Sequence, residues 1–154
     1  MTLRILFVCL GNICRSPSAE AVFRERLGHL DIHFDSAGTS DWHIGESPDP
    51  RAVREGDTRG YDLTPLRGRQ VTEEDFHVFD FILAMDLSNL RTLKEMQPAG
   101  SRAEVALLGT FISDPAPEVP DPYYNNSFDR VFDLLESAAD GLRKSPPEPR
   151  QPVG

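Results

Sequence analysis

Residues 3 to 9, LRILFVC, are rich in apolar side chains on both alternating faces, and the chain turns at once through LGNIC into RSPSAEAVFRERL. A strand lacking a wet face belongs inside a parallel sheet, where helices cover both sides. Ser16 reads as the N-cap of the following helix and Pro17 as its first residue. Ala19, Val22, Phe23, Leu27 and Leu30 then recur on one face to about His29. An opening of strand, turn and helix points to crossover connections and hence to an α/β fold.

The rest of the chain repeats the pattern. A second strand fits 31 to 36, DIHFDS, before a long loop over 37 to 50 that holds the only tryptophan, Trp42. A polar helix follows around 50 to 59. Thr72, with Glu73, Glu74 and Asp75 behind it, reads as a short helix start, and FDFILAM at 79 to 85 as a third strand. Asp86 caps a helix through Met96, EVALL at 104 to 108 is a fourth strand, and 113 to 122 is a Pro-rich loop. Ser127 caps a last helix whose stripe is Phe128, Val131, Phe132, Leu135, Ala139 and Leu142. The expected architecture is α/β, a four-stranded parallel sheet with helices on both faces and right-handed crossovers. Such sheets bind ligands beyond their strand C-termini, where Cys9 sits.

One domain over 1 to 144 accounts for this order, and SPPEPRQPVG at 145 to 154 has no apolar period and reads as a disordered tail. A chain of 154 residues buries roughly 70% of its unfolded surface and needs no staples. The formal net charge of −9 argues against binding a nucleic-acid backbone. The run from Ile5 to Leu10 is far short of the ~20 apolar residues that span a bilayer, so a cytoplasmic protein with no membrane partner is expected. Two cysteines, Cys9 and Cys14, cannot make a disulfide framework or a four-cysteine zinc site, which leaves chemistry as their use.

That chemistry follows from their setting. The turn's N–H groups converge and the helix start adds partial positive charge, a combination that binds anions. Arg15 supplies a planar fork for two oxygens of a tetrahedral anion, and Gly11 is read as permitting a backbone that a Cβ would resist. The same field favours thiolate over thiol at Cys9. A Walker phosphate loop is excluded, because the turn has neither its lysine nor its spacing.

CLGNICRSP, DSAGT and DPYY together resemble the low-molecular-weight protein tyrosine phosphatases, collinearly over about residues 3 to 143. The resemblance implies a flavodoxin-like sheet, hydrolysis of phosphotyrosine in proteins through a cysteinyl-phosphate, and neither cofactor nor metal. It implies Cys9 as nucleophile, Arg15 as phosphate ligand, and a phosphate-binding loop of Leu10, Gly11, Asn12, Ile13, Cys14 and Ser16. Asp121, in the DP position, is the implied general acid, since a tyrosine leaving group of pKa ~10 needs a proton. Ser16 would donate to the Cys9 sulfur, and Asn12 would hold the loop through a network including Ser36. Trp42, Tyr123 and Tyr124 resemble the aromatic walls of the family's cleft. Leu66 stands where many relatives have a histidine in that network. His29, His33, His43 and His77 lack metal-ligand spacing and receive no role.

Other readings of the loop remain. Protein arginine phosphatases share it but resemble this chain with threonine in place of Ile13. Arsenate reductases need further cysteines, and none follows Cys14. A cysteine phosphoryl carrier would not need Arg15 and Asp121 arranged for hydrolysis, and a phosphopeptide-binding module without catalysis would keep Arg15 and dispense with Cys9 and Asp121. A sulfenic acid on Cys9 could be trapped by Cys14. The physiological phosphoprotein and the oligomeric state are not written in the sequence.

Overall fold

The computed structural model of the protein describes residues 2–149. Four parallel strands, β1 (Leu3–Cys9), β2 (Ile32–Gly38), β3 (Phe81–Ala84) and β4 (Glu104–Leu107), form one sheet in the order β2-β1-β3-β4. The helices are α1 (Arg15–Leu27), α2 (Pro50–Thr58), α3 (Asp75–Val78), α4 (Leu87–Met96) and α5 (Phe128–Lys144), with a 3₁₀ turn at Leu108–Phe111. The architecture is the expected α/β sheet with flavodoxin-like strand order.

The period of two along β1 divides the core. Leu3, Ile5, Phe7 and Cys9 face one layer with α1, α2 and α5, and Leu6 and Val8 face the other with Phe76 and Leu93. Phe7 packs on Phe23 and Phe34, with ring centroids 4.6 and 5.9 Å away. Each such ring contributes about 2 to 3 kcal/mol by leaving water. The apolar stripe of α5 is buried throughout, from Phe128 to Leu142, and rests on α1. The first helix buries more than its expected stripe, since Arg15, Ser16, Ser18 and Glu20 are also withdrawn from solvent.

Several boundaries and caps differ from expectation. Ser16 is not an N-cap: α1 starts at Arg15 after Cys14, and no side chain caps it. Leu30 lies past the helix end at Leu27 and is half-buried. Strand β2 continues through Ala37 and Gly38, which pair with Val8 and Cys9, so the loop starts later than the glycine suggested. Strands β3 and β4 stop short of the apolar runs that contain them, because Met85 and Leu108 are buried without belonging to a strand. Asp86 does cap α4, accepting from Asn89 N–H at 2.8 Å. Ser127 occupies the N-cap position of α5, but its hydroxyl donates to Asn125 Oδ1 instead. Residues 145–149 follow α5 without helix or strand, and positions 150–154 of the expected tail lie outside the described residues.

The strand order has one functional consequence. The chain leaves β1 to one side for β2 and returns to the other side for β3, so a crevice opens beyond the C-terminal ends of β1 and β3. The loop carrying Cys9 and Arg15 leaves β1 there.

Candidate active site

Asn12, not a glycine, takes the left-handed conformation in the loop after β1, with φ at 57°. Asparagine tolerates that region better than most residues, and here its side chain is bonded at both ends. Asn12 Nδ2 donates to Ser16 Oγ at 2.8 Å, and Asn12 Oδ1 accepts from Arg69 N–H at 2.9 Å. Gly11 has an ordinary backbone. A Cβ there would lie 2.9 Å from Cδ2 of the His43 ring, which would have to shift to admit it. The expected reason for this glycine was therefore wrong, and the reason is a close neighbour across the cleft.

The loop brings donors to the sulfur. Asn12 N–H points at Cys9 Sγ from 3.3 Å, and Ser16 Oγ lies 3.0 Å from it. Asn12 Nδ2 donates into the same hydroxyl oxygen, and the one Ser16 proton has two acceptors within reach, the Cys9 sulfur at 3.0 Å and the Ala37 carbonyl at 3.3 Å. The geometry sets the Ser16 hydroxyl beside the sulfur, and no side chain caps α1.

Arg15 is 3% exposed and held from behind. Its Nη1 donates to Asp86 Oδ2 at 2.7 Å and to the Val119 carbonyl at 3.0 Å. Burial works against its charge, but the Cys9 sulfur and Asp86 together raise its pKa. Its Nη2 lies 3.7 Å from Asp121 Oδ2. Asp86 thus has two jobs: Oδ1 caps α4 and Oδ2 fixes Arg15. Its sequence context revealed only the first.

Asp121 is partly exposed, and its Oδ1 accepts from Tyr123 N–H at 3.0 Å, which turns the loop back on itself. A cleft of about 170 Å³ links these groups, with Cys9, Gly11, Ile13 and Arg15 at the floor and Asp121, Trp42, Tyr123 and Tyr124 around the mouth. Leu10 and Cys14 also border it. Trp42 is 67% exposed and Tyr124 88%, so both are rim residues without a core role. Ile13 is half-buried against the core, and the Cys14 thiol is pushed up to about 12, chiefly by burial and then by Asp49.

Two expectations change. Ser36 reaches Asn12 only indirectly, its N–H donating to Asp35, which Arg69 also bonds; its hydroxyl donates to Glu20 Oε1 at 2.7 Å, and Arg24 pairs with the same buried carboxylate at 2.8 Å. Burial nevertheless raises the Glu20 carboxyl above its ordinary range. Asn12 is held instead by Arg69, whose guanidinium bonds Asp35 and Asp75. Leu66 packs against the core. His43, given no role from sequence, borders the cleft, with Nδ1 3.0 Å from Glu46 Oε2. Its position follows from Gly68, where a Cβ would clash with the His43 carbonyl, a contact between distant loops that no local spacing announces.

The description "low molecular weight phosphotyrosine protein phosphatase" fits a family model matching residues 4–149. The chain belongs to that family. A pig low-molecular-weight phosphotyrosine protein phosphatase is 47% identical over 135 residues, covering 84% of this chain and 85% of its own. Among solved structures, a protein tyrosine phosphatase from Entamoeba histolytica with Hepes in the active site superposes with a TM-score of 0.86 at 40% identity. That match covers 93% of this chain and 96% of the other. A Drosophila arginine phosphatase also superposes at 0.86, with 30% identity over 92% of this chain and 96% of its own. Phosphatases named for two different phosphorylated side chains therefore share this fold.

Proposed function

We propose that the chain is a protein tyrosine phosphatase that hydrolyses phosphotyrosine through a phosphocysteine at Cys9. The observation that carries this reading is the meeting of Asn12 N–H and the Ser16 hydroxyl at the Cys9 sulfur, on the floor of a cleft that also holds Arg15 and Asp121.

In the first step the Cys9 sulfur uses an electron pair to form an S–P bond while the P–O bond to the tyrosyl oxygen breaks. Asp121 gives that oxygen its proton. Arg15 and the loop N–H groups hold the equatorial oxygens, whose charge they offset before the reaction starts. In the second step water attacks phosphorus and loses a proton to the Asp121 carboxylate. The S–P bond breaks, and the Ser16 O–H stabilises the departing thiolate. Burst kinetics on an aryl phosphate, with mass detection of phosphate on Cys9, tests the scheme; a steady state without a phosphorylated Cys9 would refute it.

Residues 1–144 act as one catalytic unit in this reading, on phosphotyrosine-containing proteins in the cytoplasm. Free thiols at Cys9 and Cys14 suit a reducing compartment. Among the described residues, no helix is long and apolar enough to cross a membrane.

Arginine dephosphorylation is the second reading, favoured by the Drosophila neighbour. Ile13 weighs against it. Its side chain borders the cleft and offers no hydrogen bond to a guanidinium, whose polar edge would lose water there. A phosphotyrosine ring burying ~100 Å² against Ile13 and the aromatic rim gains roughly 2.5 kcal/mol. Phosphotyrosine peptides should therefore be cleaved well ahead of phosphoarginine and phosphoserine, and Ile13→Thr should move the ratio toward phosphoarginine. The measurement is kcat/KM on matched peptides for both proteins. A wild type preferring phosphoarginine would overturn the tyrosine assignment and leave the Cys9 chemistry standing.

A further inference from the structure

Helix α2 begins beside the catalytic loop and reaches the loop that carries Asp121. Asp49 N–H donates to the Ile13 carbonyl at 2.8 Å, which ties the helix start to the phosphate-binding turn. The Asp49 carboxylate then collects Arg51: Oδ1 accepts from Arg51 N–H at 2.8 Å and from Nε at 3.1 Å, and Oδ2 accepts from Nη2 at 2.9 Å. The Arg51 side-chain bonds come first among the causes that hold the Asp49 carboxyl below its ordinary range.

The guanidinium thus fixed still has Nη1, which donates to Asn126 Oδ1 at 2.6 Å. Its plane also lies over two rings, with Cζ 5.5 Å from the Tyr123 centroid and 5.0 Å from that of Phe128. Phe128 anchors the far end of this segment in the core, while the residues before it bond largely among themselves. Tyr123 N–H bonds Asp121, Asn126 N–H bonds the Pro122 carbonyl at 2.9 Å, and Asn126 has a left-handed φ of 59°. Two ties join this turn to the loop holding Cys9: Arg15, 3.7 Å from Asp121 and bonded to the Val119 carbonyl at 3.0 Å, on the Asp121 side, and Arg51, through Asp49, on the Asn126 side. Asp121 must reach the leaving oxygen within about 3 Å for proton transfer, so a small drift of this turn acts directly on that step.

We propose that Arg51 is a positioning residue for proton donation, and that Asp49 and Arg51 form a clasp setting the distance between the Asp121 turn and the catalytic loop. The inference rests on Asp121 being the proton donor. A clasp of this kind has a signature that general stability does not. Its loss falls on substrates that need the proton and spares those that do not, and it vanishes once the donor is gone.

The test compares a phosphotyrosine peptide with an activated aryl phosphate whose phenol is far more acidic than tyrosine. Arg51→Ala should lower kcat/KM on the peptide about tenfold and on the activated ester less than about twofold, a fraction of the 10²–10⁴ that a general acid supplies. In an Asp121→Asn background the same substitution should cost less than about twofold on either substrate. Arg51→Lys keeps the charge but cannot fork between Asp49 and Asn126, and should restore only part of the peptide rate. Loss of the Tyr123 wall alone would lower both substrates together, so equal losses overturn the inference, as does a full tenfold loss in the Asp121→Asn background. An Arg51→Ala protein as active as wild type on the peptide also overturns it. Should that variant fail to fold, Asn126→Ala removes the acceptor at the far end of the fork, and a selective peptide loss of about threefold supports the clasp whereas a uniform loss rejects it. An Asp121→Asn enzyme with equal losses on both substrates would instead remove the donor assignment, and this inference with it.

Discussion

Cys9→Ser is expected to reduce turnover by at least about four orders of magnitude while leaving inorganic phosphate binding measurable. Removal of a covalent nucleophile from a site that acts as a unit has costs of that size and more. A serine hydroxyl is both harder to ionise than a thiol and shorter in its bond to Cβ, so the attacking atom would be neutral and withdrawn from phosphorus. The anion-binding parts have anchors other than the sulfur. Asn12 keeps its backbone through Arg69, and Arg15 stays fixed by Asp86 at 2.7 Å and by the Val119 carbonyl at 3.0 Å. Removing a negative sulfur also removes its repulsion of a bound dianion. Calorimetric titration with phosphate, beside an assay on an aryl phosphate, separates the two functions. Hydrolysis by the serine variant within a hundredfold of wild type would end the nucleophile assignment.

What the sequence disclosed and what it hid divide along the range of the interactions. The two faces of LRILFVC and the stripe of α5 are local patterns, and each is a core layer in the structure. The spacing from Cys9 to Arg15 lies within one turn and its helix, so the proposed anion site could be read from it. The parts that escaped are long-range. Asp86 reaches Arg15 across 71 positions, and Arg51 reaches Asn126 across 75. Each residue also has a sufficient local explanation, a helix cap or an exposed polar helix, which is why its second bond was invisible. Ser16 erred the other way. Ser-Pro at a helix start describes a cap in most chains, but here the hydroxyl turns inward to the sulfur and the helix starts uncapped. A local rule was overridden at a reactive group, where such exceptions are expected.

The same contrast between local bonding and chemistry decides the expected behaviour of Asp121→Asn. The amide oxygen of asparagine can still accept from Tyr123 N–H, now at 3.0 Å from Asp121 Oδ1, so the turn should keep its shape. The pairing with Arg15 at 3.7 Å is lost, but Arg15 retains its two anchors. What disappears is the proton. A phosphotyrosine peptide must then expel a phenoxide of pKa ~10, and kcat/KM should fall by about 10² to 10³, within the range general acids supply. An activated aryl phosphate expels a stable phenoxide unaided and should lose less than about tenfold in the same constant. The second step responds differently. Water attacking phosphocysteine needs the Asp121 carboxylate to take its proton whatever the first leaving group was, so the variant should accumulate phosphoenzyme on the activated substrate, seen as a larger initial burst before a slower steady rate. Losses of equal size for both substrates, with no growth in the burst, would take Asp121 out of both steps and leave the acid to be sought elsewhere around the cleft, where His43, 27% exposed and paired with Glu46, joins Tyr123 and Tyr124 among the titratable groups at its edge.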